Sequence, residues 1–241
     1  MKIHRSQLVG VSEVSATGLL RLDSLFSIFQ DMAILHTRQI GIEVNDLLDI
    51  GRTWMLNRVA VKIMDLPRFE EHIDVYTWSR SIVRFKGVRD YEILEKGEAI
   101  IAASSLWVYV DIKNGRLARV PPEYADRYSV VESRATDVDV EKVDFVDITR
   151  PDFILQIATR VSDYDINGHV NNAVMLQYIQ TALYRYFDEQ KSLGGLDVQF
   201  LREIPLTVTD VTVYLEKTTE GCLFEVRNEN TVCVKGKLLL M

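Results

Sequence analysis

The sequence contains few of the residues that build disulfide scaffolds and metal centres. Among its 241 residues only Cys222 and Cys233 are cysteines, and each lies in a strand-like stretch. Two thiols cannot supply a disulfide framework for a chain of this length, so reduced thiols in the core are expected. The four histidines are scattered without the close spacing of zinc or iron sites. We therefore expect no metal and no other cofactor.

Long apolar runs and an excess of positive charge are also absent. No run of about 18 apolar residues is present, as a membrane span would need, and the first residues lack the apolar run of a signal peptide. The formal net charge of −7 argues against nucleic-acid binding, because neutralising phosphates requires clustered basic residues. These features predict a cytoplasmic globular protein that binds neither membranes nor nucleic acid.

Polar residues are concentrated in one stretch between a predicted strand and a predicted helix. Residues 163–172 read Asp-Tyr-Asp-Ile-Asn-Gly-His-Val-Asn-Asn. The Asn-Gly pair is typical of a tight turn, and the start of a helix leaves backbone N–H groups that attract negative charge. In an extended segment, Asp165, Asn167 and His169 would alternate onto one side. The alternative is that these residues only shape the turn and cap the helix.

The two halves of the chain resemble each other in the order of their predicted elements. In each half a helix, over about 22–36 and 171–188, precedes four strand-like stretches. A shift of 138 residues superposes Pro67 on Pro205 and Val75 on Val213, and sets Asp65 opposite Glu203. The pattern predicts an α+β fold of two tandem units, each with a curved antiparallel sheet wrapped around a long helix.

The predicted domain boundaries follow from this repeat. Residues 1–120 form the first unit and residues 151–241 the second. Residues 121–150 begin with Pro-Pro and carry eight acidic against four basic residues. Such a stretch with little periodicity is typical of a linker.

Three stretches in this order resemble the acyl-acyl carrier protein (ACP) thioesterases. They are residues 54–58 (Trp-Met-Leu-Asn-Arg), residues 106–123 (Leu-Trp-Val-Tyr-Val to Arg-Val-Pro-Pro-Glu) and residues 165–172 (Asp-Ile-Asn-Gly-His-Val-Asn-Asn). The resemblance extends over nearly the whole chain. It implies a double hotdog fold, ACP as the partner that carries the acyl group, and hydrolysis of the acyl thioester. Plant members carry a transit peptide, so the resemblance is to the shorter bacterial form.

The resemblance also implies a set of catalytic residues in the second unit: Asp165, Asn167, His169 and Glu203. In this scheme Glu203 and Asn167 activate a water molecule and Asp165 orients His169. The backbone N–H groups of His169 and Val170 stabilise the oxyanion. An alternative makes His169 the general base. Ile204 occupies the position where the family often has a cysteine, which removes a cysteine nucleophile at that site.

The acyl chain and the carrier need surfaces of their own. The resemblance implies an acyl slot between the helix and the sheet of the first unit, with specificity for the acyl chain in that unit. The candidate substrate-binding residues are Phe29, Met32, Trp54, Met55 and Val170. A basic stretch carries the candidate carrier-docking residues Arg80, Arg84, Lys86 and Arg89, which suit an acidic carrier protein.

Other functions remain open at this point. An acyl-CoA thioesterase would use the same chemistry on another carrier, and a hotdog dehydratase would act on a hydroxyacyl or enoyl thioester. A sensor that binds acyl thioesters without turnover is a third alternative, although neither terminus offers a DNA-reading segment. The length of the acyl chain and pairing into a homodimer are not predicted by the sequence.

Overall fold

Contacts divide the chain into two units. The computed structural model describes residues 1–143, 145–188 and 192–241. One unit comprises Met1–Leu20 and Ser27–Lys142, and the other Arg21–Phe26 and Val143–Met241. Within the described ranges, no helix combines the length and the apolar character needed to cross a bilayer.

The first unit is an antiparallel sheet with one long helix. Its elements are β1 (Lys2–Leu8), α1 (Leu22–Gln39), α2 (Val44–Asp49), β2 (Arg52–Ile63), β3 (His72–Val83), β4 (Lys86–Glu95), β5 (Glu98–Asp111), β6 (Arg116–Leu117) and α3 (Pro122–Arg127). The strand order is β1-β3-β4-β5-β2, with β6 paired to β5. The helix predicted over about 22–36 is confirmed as α1, and Phe29, Met32 and Ala33 on it are buried.

The second unit repeats this arrangement. Its elements are β7 (Phe153–Ala158), α4 (Asn172–Phe187), β8 (Leu193–Phe200), β9 (Asp210–Lys217), β10 (Gly221–Asn228) and β11 (Thr231–Leu240). The strand order is β8-β11-β10-β9-β7. One face of α4 is fully buried through Leu176, Ile179 and Ala182, at the spacing of a helical stripe. A long helix with an antiparallel sheet in each unit confirms the α+β prediction.

The internal repeat is confirmed, but the predicted alignment is wrong by one residue at Glu203. Strand β1 pairs Arg5 with Val75, and β7 pairs Leu155 with Val213, as the shift of 138 requires. In the segments that precede β3 and β9, however, Pro67 O accepts the Leu20 N–H and Ile204 O accepts the Val170 N–H, each at 2.9 Å. Pro67 therefore corresponds to Ile204, and Leu66 rather than Asp65 corresponds to Glu203. The second unit has one more residue in the turn that follows.

The segment predicted as an acidic linker packs against both units in turn. Tyr128 is buried with Ile42 and Tyr109 of the first unit, and Val140 is buried farther along the same unit. Beyond the division at residue 142, Phe145 packs against Leu223 of the second unit. These apolar residues, spaced among acidic ones, hold the segment on the surface of the sheets.

Strands β8 and β11 approach closely at Gly236, and a substitution there tests this packing. A Cβ at Gly236 would lie 2.1 Å from Asp197 O and 2.5 Å from the Phe224 ring. We expect Gly236→Ala to lower the free energy of unfolding by about 1–3 kcal/mol, as overpacking does. Urea unfolding measures the change. Gly10→Ala is the control, since its Cβ would meet only the flexible Glu13 side chain at 3.3 Å; equal stability of the two variants would contradict the packing described.

Candidate active site

The polar stretch before α4 contains a tight turn over residues 165–169, which Asp165 closes. Asp165 N–H donates to His169 O at 2.8 Å, and Gly168 N–H donates to Asp165 O at 3.0 Å. Gly168 has φ +76°, a conformation that glycine adopts without strain. The Asp165 carboxylate accepts the N–H groups of Asn167 at 2.8 Å and His169 at 3.3 Å. The tight turn predicted at Asn167-Gly168 is therefore confirmed, and the segment does not take the extended form in which Asp165, Asn167 and His169 would alternate onto one side.

Two backbone hydrogen bonds dock this turn on the segment that precedes β9. Val170 N–H donates to Ile204 O at 2.9 Å, and Leu206 N–H donates to Gly168 O at 3.1 Å. The register brings Glu203 beside His169, with 3.4 Å between Glu203 Oε2 and His169 Nε2. The side chains are 50% and 32% exposed, so water can reach both. The result is a solvent-accessible carboxylate and imidazole pair, with Asp165 and Asn167 in the adjoining turn.

The contacts of Asp165 and Asn167 differ from their predicted roles. In the described part of the chain, the Asp165 carboxylate accepts the backbone N–H of His169 and makes no hydrogen bond to the His169 ring. Asn167 Nδ2 donates to Asp165 Oδ2 at 3.3 Å, and Asn167 is exposed. Asp165 thus positions His169 by fixing the turn. The amide oxygen of Asn167 makes no hydrogen bond to a described residue.

The predicted oxyanion donors are already occupied. The N–H of His169 donates to Asp165, and that of Val170 donates to Ile204. They hold the turn together, so the assignment of these two groups to an oxyanion is corrected. The first turn of α4 offers a replacement: the N–H groups of Asn172 and Val174 have no hydrogen-bond partner among the described residues, as is usual at a helix start.

A buried aspartate, not singled out from the sequence, ties this turn to α4. The Asp163 side chain is only 1% exposed and accepts the Tyr178 hydroxyl, the Arg160 N–H at 2.8 Å and Arg160 Nε at 2.9 Å. Burial raises the pKa of Asp163, but the hydrogen bonds from Tyr178 and Arg160 outweigh it and lower the pKa overall. The one sequence signal is an acidic residue at the third position of a short helical turn, a capping pattern.

The same loop in the first unit lacks groups for acid–base chemistry. Ser15 N–H donates to Leu19 O at 2.8 Å, which repeats the hydrogen bond between Asp165 and His169. Ser15, Thr17 and Leu19 therefore occupy the positions of the predicted catalytic residues. The repeated backbone carries a carboxylate, an amide and an imidazole only in the second unit.

The candidate substrate-binding residues differ in burial. Phe29 and Met32 are core residues, and the Phe29 ring stacks on Tyr91 with 4.4 Å between centroids. Trp54 and Met55 keep part of their surface exposed, and the Trp54 ring lies 5.1 Å from that of Tyr109. Val170 is buried in the second unit.

The four candidate docking cations do not form one exposed patch, which corrects that prediction. Arg89 is 6% exposed and faces the interior, and Arg80 pairs with the buried Asp90 at 3.4 Å. Both faces of β4 are covered at this point, so the alternating residues 89 and 90 are both buried. Arg84 is exposed, and Lys86 is partly exposed and pairs with Glu141 at 3.0 Å.

The two cysteines are poor candidates for a nucleophile. Both are free and buried. Burial raises the pKa of Cys222 to about 12 and also raises that of Cys233. Neither thiol would form the reactive thiolate near neutral pH.

The anchor between Tyr178 and Asp163 gives a testable stability effect. Tyr178→Phe removes a donor to a buried carboxylate, so we expect a loss of about 1–3 kcal/mol in the free energy of unfolding at pH 7. The pKa of Asp163 is lowered in the folded state, so this contribution is present at neutral pH and lost as the pH falls below about 4. Urea unfolding across that range checks both points.

The exposed Tyr184 on the same helix supplies the matched control. Tyr184→Phe should leave stability within about 0.5 kcal/mol of the original at every pH. A Tyr178→Phe protein as stable as this control at pH 7 would show that the buried hydrogen bond contributes nothing.

Comparison with known proteins places these elements in a family. The protein-family model of the acyl-ACP thioesterase N-terminal domain matches residues 2–128, and the family model of the C-terminal domain matches residues 147–237. A chloroplastic acyl-acyl-carrier-protein hydrolase of Cuphea viscosissima is 26% identical over 213 residues, which are 83% of this chain and 50% of the relative. A chloroplastic oleoyl-acyl carrier protein thioesterase of Arabidopsis thaliana is 23% identical, over 83% of this chain and 58% of the relative. The chain spans about half the length of the curated relatives it matches.

Solved structures confirm the fold. An acyl-ACP thioesterase from Bacteroides thetaiotaomicron superposes with a TM-score of 0.86 at 20% identity, covering 100% of this chain and 98% of that one. The 12:0-ACP thioesterase from Umbellularia californica gives a TM-score of 0.87 at 16% identity, covering 100% and 97%. The predicted double hotdog is thereby confirmed. Since the two family models together match most of its length, the chain belongs to the acyl-ACP thioesterase family.

Proposed function

We propose that this protein hydrolyses the thioester of a fatty acyl-ACP and releases the free fatty acid. The observation that carries the proposal is the exposed pair of Glu203 and His169, 3.4 Å apart beside the polar turn. Membership of the acyl-ACP thioesterase family supports it, as do relatives named as acyl-ACP hydrolases and thioesterases. We place the reaction in the cytoplasm, where the two buried thiols would stay reduced.

The proposed reaction is direct attack by water. Glu203 accepts a proton from water while the water oxygen adds to the thioester carbonyl carbon, with the free amide oxygen of Asn167 as a second acceptor for that water. General-base assistance of this kind is worth roughly 10²–10⁴-fold. An assignment with His169 as the base remains the alternative for this step.

The tetrahedral intermediate needs donors and a proton for the leaving group. We assign the oxyanion to the N–H groups at the start of α4, those of Asn172 and Val174, each worth on the order of 10²–10³-fold if well placed. The intermediate collapses by breaking the carbon–sulfur bond, and the proton that Glu203 took from water passes through His169 to the departing thiolate, which restores both side chains. The products are a free fatty acid and the thiol of the carrier, with no covalent enzyme intermediate.

Each unit is assigned its own residues for binding the substrate. We propose that the acyl chain enters the first unit between its helix and its sheet, past the partly exposed Trp54 and Met55, with Phe29 and Met32 deeper in the wall. Val170 would pack under the thioester. The acidic carrier would dock at the exposed cation Arg84 together with Lys86.

The first test removes the proposed base. Glu203→Gln keeps the size and polarity of the side chain but loses its basicity, so we expect kcat to fall by about 10²–10⁴-fold with KM little changed. Release of free fatty acid from acyl-ACP thioesters of graded chain length measures the effect. Glu220→Gln, an exposed carboxylate of the same unit, is the control and should retain full activity. A folded Glu203→Gln protein with normal turnover would remove Glu203 from the chemistry.

The second test concerns the carrier. Arg84→Glu combined with Lys86→Glu should raise KM for acyl-ACP by roughly tenfold at low salt and much less at high salt, because exposed charges are screened. KM for a small acyl thioester should not change. The pair Lys113→Glu and Arg116→Glu carries the same charge change on exposed residues and should affect neither substrate. Equal effects on both substrates in the first variant would refute docking at this surface.

A further inference from the structure

The interface between α1 and β4 changes from apolar to polar over two helical turns. At its apolar part, the Phe29 ring stacks on Tyr91, two residues along β4 from Arg89. Seven residues later on the same stripe of α1, His36 is fully buried and faces the buried Arg89, whose Nη1 donates to His36 Nδ1 at 2.9 Å. A histidine and an arginine thus occupy the position where helix and sheet would otherwise continue an apolar layer.

The positive charge of Arg89 is buried without a negative partner. Its other hydrogen bonds go to neutral hydroxyls, to Thr77 Oγ1 at 3.2 Å and to Ser79 Oγ at 3.5 Å. No carboxylate in the described ranges lies within 4.0 Å of its guanidinium. A buried charge is costly unless it is paired, so this arrangement calls for an explanation beyond packing.

His36 contributes an unsatisfied donor beside this charge. Burial first, and then the charge of Arg89, lower the pKa of His36 to about 3, so the imidazole is neutral. Because Nδ1 accepts from Arg89, the ring proton lies on Nε2. Nε2 is buried and has no hydrogen-bond partner among the described residues. The pair therefore offers one unsatisfied donor, His36 Nε2–H, beside a buried positive charge that has no carboxylate partner.

One aromatic ring connects this pair to the proposed acyl slot. Tyr128 packs edge-on against His36, with centroids 5.7 Å apart, and lies 5.9 Å from the Arg89 guanidinium carbon. The same ring meets the partly exposed Trp54 edge-on at 6.5 Å. A chain that passes Trp54 and Tyr128 would end against His36 and Arg89.

We propose that His36 and Arg89 form the polar floor of the acyl slot and select substrates by the chemistry of the far end of the chain. A methyl-ended chain long enough to reach the floor would leave His36 Nε2–H without an acceptor and the Arg89 charge against a methyl group, and is rejected. A chain that carries a hydroxyl or oxo oxygen at that depth supplies the acceptor and is preferred. This inference rests on the proposed thioesterase function and names the substrate class that the first unit distinguishes.

Two matched series of substrates test the proposal on the unmodified protein. One series is of methyl-ended acyl-ACP thioesters of graded length, and the other has the same lengths with a terminal hydroxyl group. We expect kcat/KM to fall steeply at one length in the methyl series, and the hydroxyl to raise it at that length by about tenfold or more, since sites with buried donors discriminate strongly. Equal kcat/KM values for the two series at every length would overturn the proposal. This result is expected if a water molecule accepts the proton of His36 Nε2.

Variants locate the effect. His36→Phe and Arg89→Met should each move the cut-off of the methyl series to longer chains and abolish the preference for the hydroxyl. Ser104→Ala, which removes another buried hydroxyl of the first unit, bonded to Thr136 at 3.0 Å, should leave the preference unchanged. An unaltered preference in a folded His36→Phe protein would contradict the assignment.

Calorimetry separates this inference from the proposed function. Free fatty acids and their terminally hydroxylated counterparts can be titrated into the protein without any turnover. Tighter binding of the hydroxylated acid at the critical length supports the polar floor even if no thioester is cleaved. Hydrolysis of acyl-ACP with equal binding of the two acids would uphold the thioesterase function and reject the floor.

Discussion

The docking of the five-residue turn 165–169 on the segment before β9 is the constraint on which the site depends. The hydrogen bonds from Val170 N–H to Ile204 O and from Leu206 N–H to Gly168 O fix the register between two segments that are far apart in the sequence. Only this register brings Glu203 within 3.4 Å of His169. The Asp165 carboxylate serves the same end, because it closes the turn by accepting two of its N–H groups. Asp163 and Tyr178 then anchor the turn to α4.

The proposed function gives the two units of the chain different tasks. Both units keep the backbone of this loop. In each, the loop donates a hydrogen bond to the segment before β3 or β9, from Leu20 in the first unit and from Val170 in the second. In the first unit the loop carries Ser15 and Leu19, so it can support no acid–base chemistry. That unit instead has a long helix whose inner stripe passes from an aromatic stack to the buried pair of His36 and Arg89. The proposed division is therefore chemistry in the second unit and choice of acyl chain in the first.

Much of the fold could be predicted because burial follows simple periods. Helix α1 and the matching strands around Val75 and Val213 are where the sequence pattern placed them. The Asn-Gly pair predicted the tight turn, but not that the Asp165 carboxylate would accept the N–H groups of Asn167 and His169. The basic stretch misled in another way, since counting charges cannot show that Arg89 faces the interior while Asp90 is buried on the other face. The one-residue offset that aligns Leu66 with Glu203 follows from backbone hydrogen bonds between residues far apart in the sequence. The low sequence identity of the two halves does not reveal these hydrogen bonds.

A double-mutant cycle on His169 and Glu203 tests the central claim most directly. The claim is that these two side chains act as one unit on one water molecule and one thioester. We predict that His169→Gln and Glu203→Gln each lower kcat/KM for acyl-ACP greatly, and that the double variant is little worse than either single one, as is usual for groups that act together. Losses that multiply in the double variant would show independent action and contradict the account.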